Sequence, residues 1–288
     1  MPTEIPFYKF DGAGNDFILI DARHDEVQLT EKQIAHLCHR RFGIGADGLM
    51  TLHHAEGGFD FLMRYYNSDG REATMCGNGG RCITVFAKMM GVESTPQNHF
   101  RFIGPDGEHS SDIIVWNEDA AMGIVRLAMR DIESKDIRKI SLPFNTKDVA
   151  YDINDGDEQK MYGWYLNTGS PHLVIRVANL DDYDVVSVGR WLRYRTELFP
   201  EGTNVDFIED KEDGTLAVRT YERGVEDETM ACGTGVTACA IVTGNGRIKT
   251  RGGDFRVTFD VTGDNYSNVM LTGPVAFNFH GMIKLDIQ

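Results

Sequence analysis

Apolar and polar residues alternate along much of this chain. The stretches Phe59-Asp60-Phe61-Leu62-Met63-Arg64-Tyr65-Tyr66 and Phe255-Arg256-Val257-Thr258-Phe259-Asp260-Val261 repeat with the two-residue period of half-buried strands. Gly, Asn and Asp fill most connections. Strands therefore dominate, and four segments predict helices instead. The first runs from about Thr30 to Arg40, where Thr30 and Gln33 have the spacing of a capping box. A second lies near Ser187 to Tyr194. The other two, Arg81 to Met90 and Val236 to Val242, are apolar or small nearly all round, which predicts that each is buried inside its own sheet. Asn78 and Thr234 are the expected N-caps of these two, and Gly91 and Gly244 the expected stops.

The residues leading into those two helices match one another. Glu72-Ala73-Thr74-Met75 opens on Cys76-Gly77-Asn78-Gly79, and Glu228-Thr229-Met230-Ala231 opens on Cys232-Gly233-Thr234-Gly235. Upstream, Arg64-Tyr65-Tyr66-Asn67 is answered by Arg219-Thr220-Tyr221-Glu222, and Asn15-Asp16-Phe17-Ile18 by Asn204-Val205-Asp206-Phe207-Ile208. The pattern predicts an α+β chain of two pseudo-symmetric lobes, each a mostly antiparallel curled sheet around a central helix. The N-terminal lobe is expected over 1–122 with Cys76, completed by a last strand within 275–288. The C-terminal lobe, with Cys232, is expected over 123–274, and the crossover between lobes within 106–126.

Composition narrows the possible partners more than the fold. At 288 residues, 41% hydrophobic and 25% charged, the chain is long enough for two ordinary domains. A net charge of −15 argues against nucleic acid or an anionic membrane as the main partner. No run of eighteen apolar residues occurs, and Met1-Pro2-Thr3-Glu4-Ile5-Pro6 lacks the basic and apolar regions of a signal peptide, so a cytoplasmic location is expected. Five cysteines do not make a disulfide framework, and their spacings offer neither a Cys-x-x-Cys pair nor a histidine at zinc-ligand distance. No metal is expected.

A thiol at the mouth of a helix lies where backbone N–H groups and the helix dipole favour negative charge, which predicts a lowered pKa. Gly77, Gly79, Gly233 and Gly235 leave room for a ligand to approach the backbone. Two such turns facing one another would hold a single carboxylate and place its neighbouring carbon between two sulfurs. One sulfur would abstract the proton as thiolate while the other donates as thiol, with no cofactor. A single Cys-Gly-x-Gly turn reads more simply as packing, since cysteine is often a small buried hydrophobe. Two in matching contexts do not. Cys38, Cys82 and Cys239 keep the packing reading and are expected to be inert.

At these positions the chain resembles the diaminopimelate epimerase family, whose members work without pyridoxal phosphate in lysine and peptidoglycan biosynthesis. The resemblance rests on Lys9-Phe10-Asp11-Gly12-Ala13-Gly14-Asn15-Asp16-Phe17, Tyr66-Asn67-Ser68-Asp69-Gly70, Met75-Cys76-Gly77-Asn78-Gly79-Gly80-Arg81-Cys82, Gly169-Ser170-Pro171-His172, Gly202-Thr203-Asn204, Tyr221-Glu222-Arg223-Gly224 and Ala231-Cys232-Gly233-Thr234-Gly235. These occur in the family's order along nearly the whole chain. The resemblance implies a fold of two pseudo-symmetric lobes with the active site in the cleft between them. It implies Cys76 and Cys232 as the catalytic pair, with His172 and Glu222 near the reacting end, tuning the thiols. Asn15, Asn67, Asn204 and Arg223 would grip the distal amino-acid end, where amides and one guanidinium suit a carboxylate plus an ammonium. Gly77, Asn78, Ser170, Gly233 and Thr234 complete the implied substrate contacts. LL- and meso-diaminopimelate are the implied substrates, and a homodimer the implied assembly.

The chain departs from the family pattern at Ser170, where many members carry asparagine, and at Gly48, where some carry a substrate-facing glutamine. Proline racemases and hydroxyproline epimerases share the two-cysteine logic but typically carry histidine where Asn78 stands, and their substrates would leave Arg223 and the asparagines without a task. A non-catalytic amino-acid sensor would bind without exchanging the α-hydrogen. A thiol-disulfide oxidoreductase would need a reversible disulfide rather than two free thiols.

Overall fold

The computed structural model of the protein describes residues 3–24, 27–142, 161–263 and 265–285. The chain divides into two units, one comprising Met1–Ala128 with Thr272–Gln288, the other Met129–Leu271.

In the first unit the order is β1 (Thr3–Gly12), β2 (Asn15–Asp21), α1 (Glu31–Cys38), β3 (Gly48–His53), β4 (Phe61–Asn67), α2 (Gly77–Met89), β5 (His99–Gly104), β6 (Gly107–Asn117) and β7 (Met122–Ala128). Most neighbours are antiparallel, but β2 runs parallel to β3 and β4 parallel to β5. A parallel pair needs a crossover rather than a tight turn, and α1 and α2 are those two crossovers. α1 carries the expected capping box, with Thr30 and Gln33 bonded reciprocally. α2 is buried from Gly77 to Ala87 and packs against β1, β2, β3, β6 and β7. An all-round apolar helix is thus satisfied by sheet on several sides.

In the second unit the order is β8 (Ile132–Glu133), β9 (Arg138–Leu142), β10 (Met161–Asn167), β11 (Pro171–Arg176), α3 (Val185–Arg193), β12 (Asn204–Asp210), β13 (Leu216–Glu222), β14 (Asp227–Thr229), α4 (Gly233–Thr243), β15 (Arg247–Thr250) and β16 (Gly253–Thr262). Here the parallel pairs are β11 with β12 and β13 with β15, and α3 and α4 are the connecting helices. α4 packs against β10, β11, β12, β13, β15 and β16. α3 lies on a separate cluster of Leu173, Ile175, Val185, Leu192, Phe207 and Tyr221.

The last strand, β17 (Asn265–Leu285), serves both units. Its beginning pairs with β8 in the second unit. Its remainder pairs antiparallel with β7 through Gly273–Ala276 and with β1 through Ala276–Leu285. In the first unit this closes a ring of eight strands, because β1 to β7 pair in succession and β17 joins β7 back to β1. The division after Ala128 falls later than the 122/123 boundary that patterning suggests. β6 and β7 form one hairpin, which a cut at 122 would split.

Candidate functional site

Both central helices begin on a cysteine. Patterning places the caps at Asn78 and Thr234, but the N-cap residues are Cys76 and Cys232, neither making a side-chain capping bond. The first intrahelical bonds run from Gly80 N to Cys76 O and from Val236 N to Cys232 O, each 2.8 Å. N–H groups of the three residues after each cysteine therefore precede the helical ladder. The amide of Asn78 and the hydroxyl of Thr234 are engaged sideways instead of capping.

In the first unit, Cys76 Sγ lies 3.6 Å from Asn15 Oδ1, which also accepts from Asn78 Nδ2 at 3.2 Å. The other end of the Asn15 amide donates to Asp47 Oδ2 at 2.7 Å, and Arg40 holds Asp47. Asn15 is thereby fixed with its oxygen toward the thiol. Asn78 is buried, and its Oδ1 accepts from Arg81 at 3.0 Å. Arg81 is wholly buried in the first turns of α2, donating to Gly77 O at 3.1 Å. Burial draws its pKa down to about 10, with Cys82 and Cys76 acting against that fall. Asn67 ends β4, exposed, in register with Gly48. Gly48 has no room for a side chain: a Cβ would come within 2.6 Å of the Tyr65 ring and 2.7 Å of Tyr66 O. Asp16, next to Asn15, is paired with Lys9 and Arg40.

In the second unit the expected residues are drawn into one polar cluster. Strand register sets it up, since β11 pairs His172 with Asn204 and β12 pairs Asp206 with Thr220. His172 is fully buried, with Nδ1 2.7 Å from Asp206 Oδ2. Its Nε2 lies 2.9 Å from Thr234 Oγ1 and 3.0 Å from Ser170 Oγ. Thr234 Oγ1 lies 3.4 Å from Cys232 Sγ. Asn204 Nδ2 donates to Pro171 O at 2.9 Å, and its Oδ1 accepts from Arg223 N at 2.8 Å. Arg223 is half-buried as a residue, and its guanidinium donates to Glu201 O at 3.0 Å on the exposed side. Thr168 Oγ1 donates to Thr234 O at 2.8 Å, tying the 168–170 loop to the helix start.

The thiol pKa expected from helix position alone is reversed at Cys232. This residue is 7% exposed, and burial, reinforced by the carboxylates of Glu222 and Asp206, pushes its pKa well above the ordinary thiol value. Helix N-terminal stabilisation is weaker than desolvation combined with two negative charges. Cys38, Cys82 and Cys239 are buried, and their pKa values are raised by the same desolvation, to about 12 for Cys38.

Asp206, Asp47 and Arg81 belong to the site without being singled out by patterning. Asp206 had a signal: it lies two residues beyond Asn204 on a strand, and so on the same face. Arg81 stands within a family-like stretch and Asp47 beside the departing Gly48, but both depend on contacts from β2 and α2 that sequence spacing does not encode.

The diaminopimelate epimerase family model matches residues 7–122 and 164–277. Diaminopimelate epimerase of Flavobacterium psychrophilum is 40% identical over 288 residues, covering 96% of this chain and 99% of that protein. The enzyme of Chlorobaculum tepidum is 40% identical, covering 95% and 99%. Among solved structures, a hydroxyproline epimerase from Agrobacterium vitis superposes with a TM-score of 0.67 at 14% identity, covering 100% of this chain and 95% of that one. A PhzF-family phenazine biosynthesis protein of Bacillus anthracis gives 0.67 at 15%, covering 98% and 100%. At such identities the last two speak for the fold alone. From the full-length relatives and the family match, this chain belongs to the diaminopimelate epimerase family.

Proposed function

We propose that the protein is a diaminopimelate epimerase, interconverting LL- and meso-2,6-diaminopimelate for lysine and peptidoglycan precursor synthesis. The observation that carries this is the cysteine at the N-cap of each central helix, one per unit. Inverting a carbon centre requires an acid and a base on opposite faces, and two thiols so presented supply them. One sulfur takes the α-proton as thiolate. The other returns a proton to the opposite face. As the α-proton leaves and before the opposite face is protonated, negative charge builds on the α-carboxylate as it becomes enediolate-like, and the N–H groups of Gly77, Asn78, Gly233 and Thr234 are the donors for it. His172 and Glu222 act near the reacting end. Asn15, Asn67, Asn204, Ser170 and Arg223 hold the distal end. Catalysis needs no cofactor in this scheme.

We further infer that the two units are pseudo-symmetric lobes, which is supported by a cysteine-capped crossover helix packed among strands in each. The same reading includes a cytoplasmic homodimer. Light scattering on the purified protein tests the assembly.

Incubation with LL-diaminopimelate and dithiothreitol in deuterated water tests the function. Incorporation of α-deuterium with formation of the meso isomer is expected. Binding without exchange identifies a sensor, and equal turnover of L-proline removes the substrate assignment. Arg223→Ala is expected to lower kcat/KM by roughly 2 to 4 kcal/mol, as for a charge left without its counter-charge.

A further inference from the structure

The repeat along the chain matches two residue types that the proposed chemistry does not use. Arg64 answers Arg219, and Glu72 answers Glu228. Each arginine grips the glutamate of its own unit with two parallel bonds. Arg64 Nε and Nη2 donate to Glu72 Oε1 and Oε2 at 3.0 and 3.3 Å, and Arg219 Nε and Nη2 donate to Glu228 Oε1 and Oε2 at 2.7 Å each. One such fork at a surface would be a solvated ion pair of little consequence. Two at equivalent places are a shared feature of the units.

The places are equivalent on both sides of the fork. Arg64 stands three residues before Asn67 at the end of β4, and Arg219 three before Glu222 at the end of β13, so each arginine lies on the strand face opposite the residue assigned to substrate. Each glutamate stands four residues before its cysteine. Glu72 forms an antiparallel bridge with Tyr66, and Glu228 pairs with Tyr221 in the β13–β14 ladder. Ala73 N then donates to Tyr65 O at 2.9 Å, and Met230 O accepts from Gly252 N at 2.9 Å.

The surroundings of the two forks differ. Arginine and glutamate are eight residues apart in the first unit and nine in the second. The first turn uses Gly70 at φ 91°, the second Gly224 at 97° and Glu226 at 60°. The side chains of the first fork are 47% and 52% exposed, those of the second 10% and 9%, with Arg251 adding a 3.0 Å contact to Glu228. Turn length, burial and neighbours all vary. The fork and its spacing to the cysteine do not.

Building on the epimerase reading, we propose that Arg64 with Glu72, and Arg219 with Glu228, are positioning pairs. Each ties the segment entering its cysteine-capped helix to the strand that ends in residues assigned to substrate, Asn67 in one unit and Glu222 with Arg223 in the other. The fork thereby sets where the sulfur stands relative to those residues, without touching substrate itself.

The first pair carries the test, because a half-exposed ion pair can be removed without stripping a buried charge of its partner. Arg64→Lys keeps the charge but not the fork, and Glu72→Gln replaces one acceptor by a donor. Each should lower kcat for LL-diaminopimelate roughly tenfold, since small misplacement of a reacting group is costly, with KM within about twofold of wild type. The thermal midpoint should move by no more than about 3 °C. Arg64→Gln combined with Glu72→Gln should be no slower than either alone, because the pair acts as a unit. Amide hydrogen exchange of the full chain, followed by peptide mass spectrometry, reads the same tie without turnover. Exchange over 73–76 should quicken at least about threefold in the variants while that over 236–243 is unchanged. Folded variants with unaltered kcat overturn the proposal, as do additive losses in the double variant or unaltered exchange over 73–76. A rise in KM alone also overturns it, since it would make the pair a substrate contact. A wild-type protein that incorporates no α-deuterium counts instead against the epimerase reading, and the amide measurement still decides whether the fork holds the segment.

Discussion

At the residue scale, the two cysteine turns and most of their neighbours are legible in the sequence because their residue types are chemically scarce and their order repeats. Asp206 is legible only as a residue on the same strand face as Asn204, since an aspartate on a strand carries no mark of burial until its partners His172 and Thr220 arrive from β11 and β13. Removing either thiol tests the core of the scheme. Cys76→Ala and Cys232→Ala should each cut epimerisation at least about a hundredfold, the scale of a lost general acid or base, in the LL-to-meso assay. Gly48 shows a different constraint. With the Tyr65 ring and the Tyr66 carbonyl already in its side-chain space, Gly48→Gln should lower unfolding free energy by roughly 1 to 3 kcal/mol, as overpacking does, rather than gain a substrate contact. Urea denaturation measures it. Asp16 gives the acid side of stability. Burial would raise its pKa, but bonds from Arg40 and Lys9 prevail and bring it to about 2, below the ordinary 3.8. The stabilisation is complete above the ordinary value and is lost as pH falls through about 2, amounting to on the order of 2 kcal/mol. Unfolding free energy should fall more between pH 6 and pH 3 in wild type than in Asp16→Asn.

At the element scale, local signals served where local physics decides. The capping box at Thr30 and Gln33 forms as its spacing predicts, and Thr30→Ala should cost about 1 kcal/mol in urea unfolding without altering kcat. The cysteine-capped helices defeat that logic. Asn78 and Thr234 are better capping residues than cysteine, yet the helices start earlier, because both side chains are committed to Asn15 and Arg81, or to His172 and Ser170. Propensity reads the residue, whereas the competing partners lie on other strands. The strands parallel to one another were equally hidden from periodicity, which reports faces and not direction.

At the scale of the whole molecule, the α+β class and the dominance of strands follow from alternation, but ring closure does not. It depends on β1 and β7 both pairing with β17, more than a hundred residues away in sequence for either. A chain ending at Leu271 would leave two long strand edges unpaired in the first unit. Such a truncation should lose cooperative unfolding of that unit and aggregate by size-exclusion chromatography, as open edges do.

The strand that closes the ring also sets a timetable. Domains emerging from a ribosome ordinarily fold in the order they are made. Here residues 129–271 are all synthesised before Thr272 appears, so the unit that begins first is the last to be finished. Until then its N-terminal strands wait with one partner missing, while the later-made unit already has its full complement. During translation the nascent chain should thus pass through a stage in which its middle is native and its beginning is not.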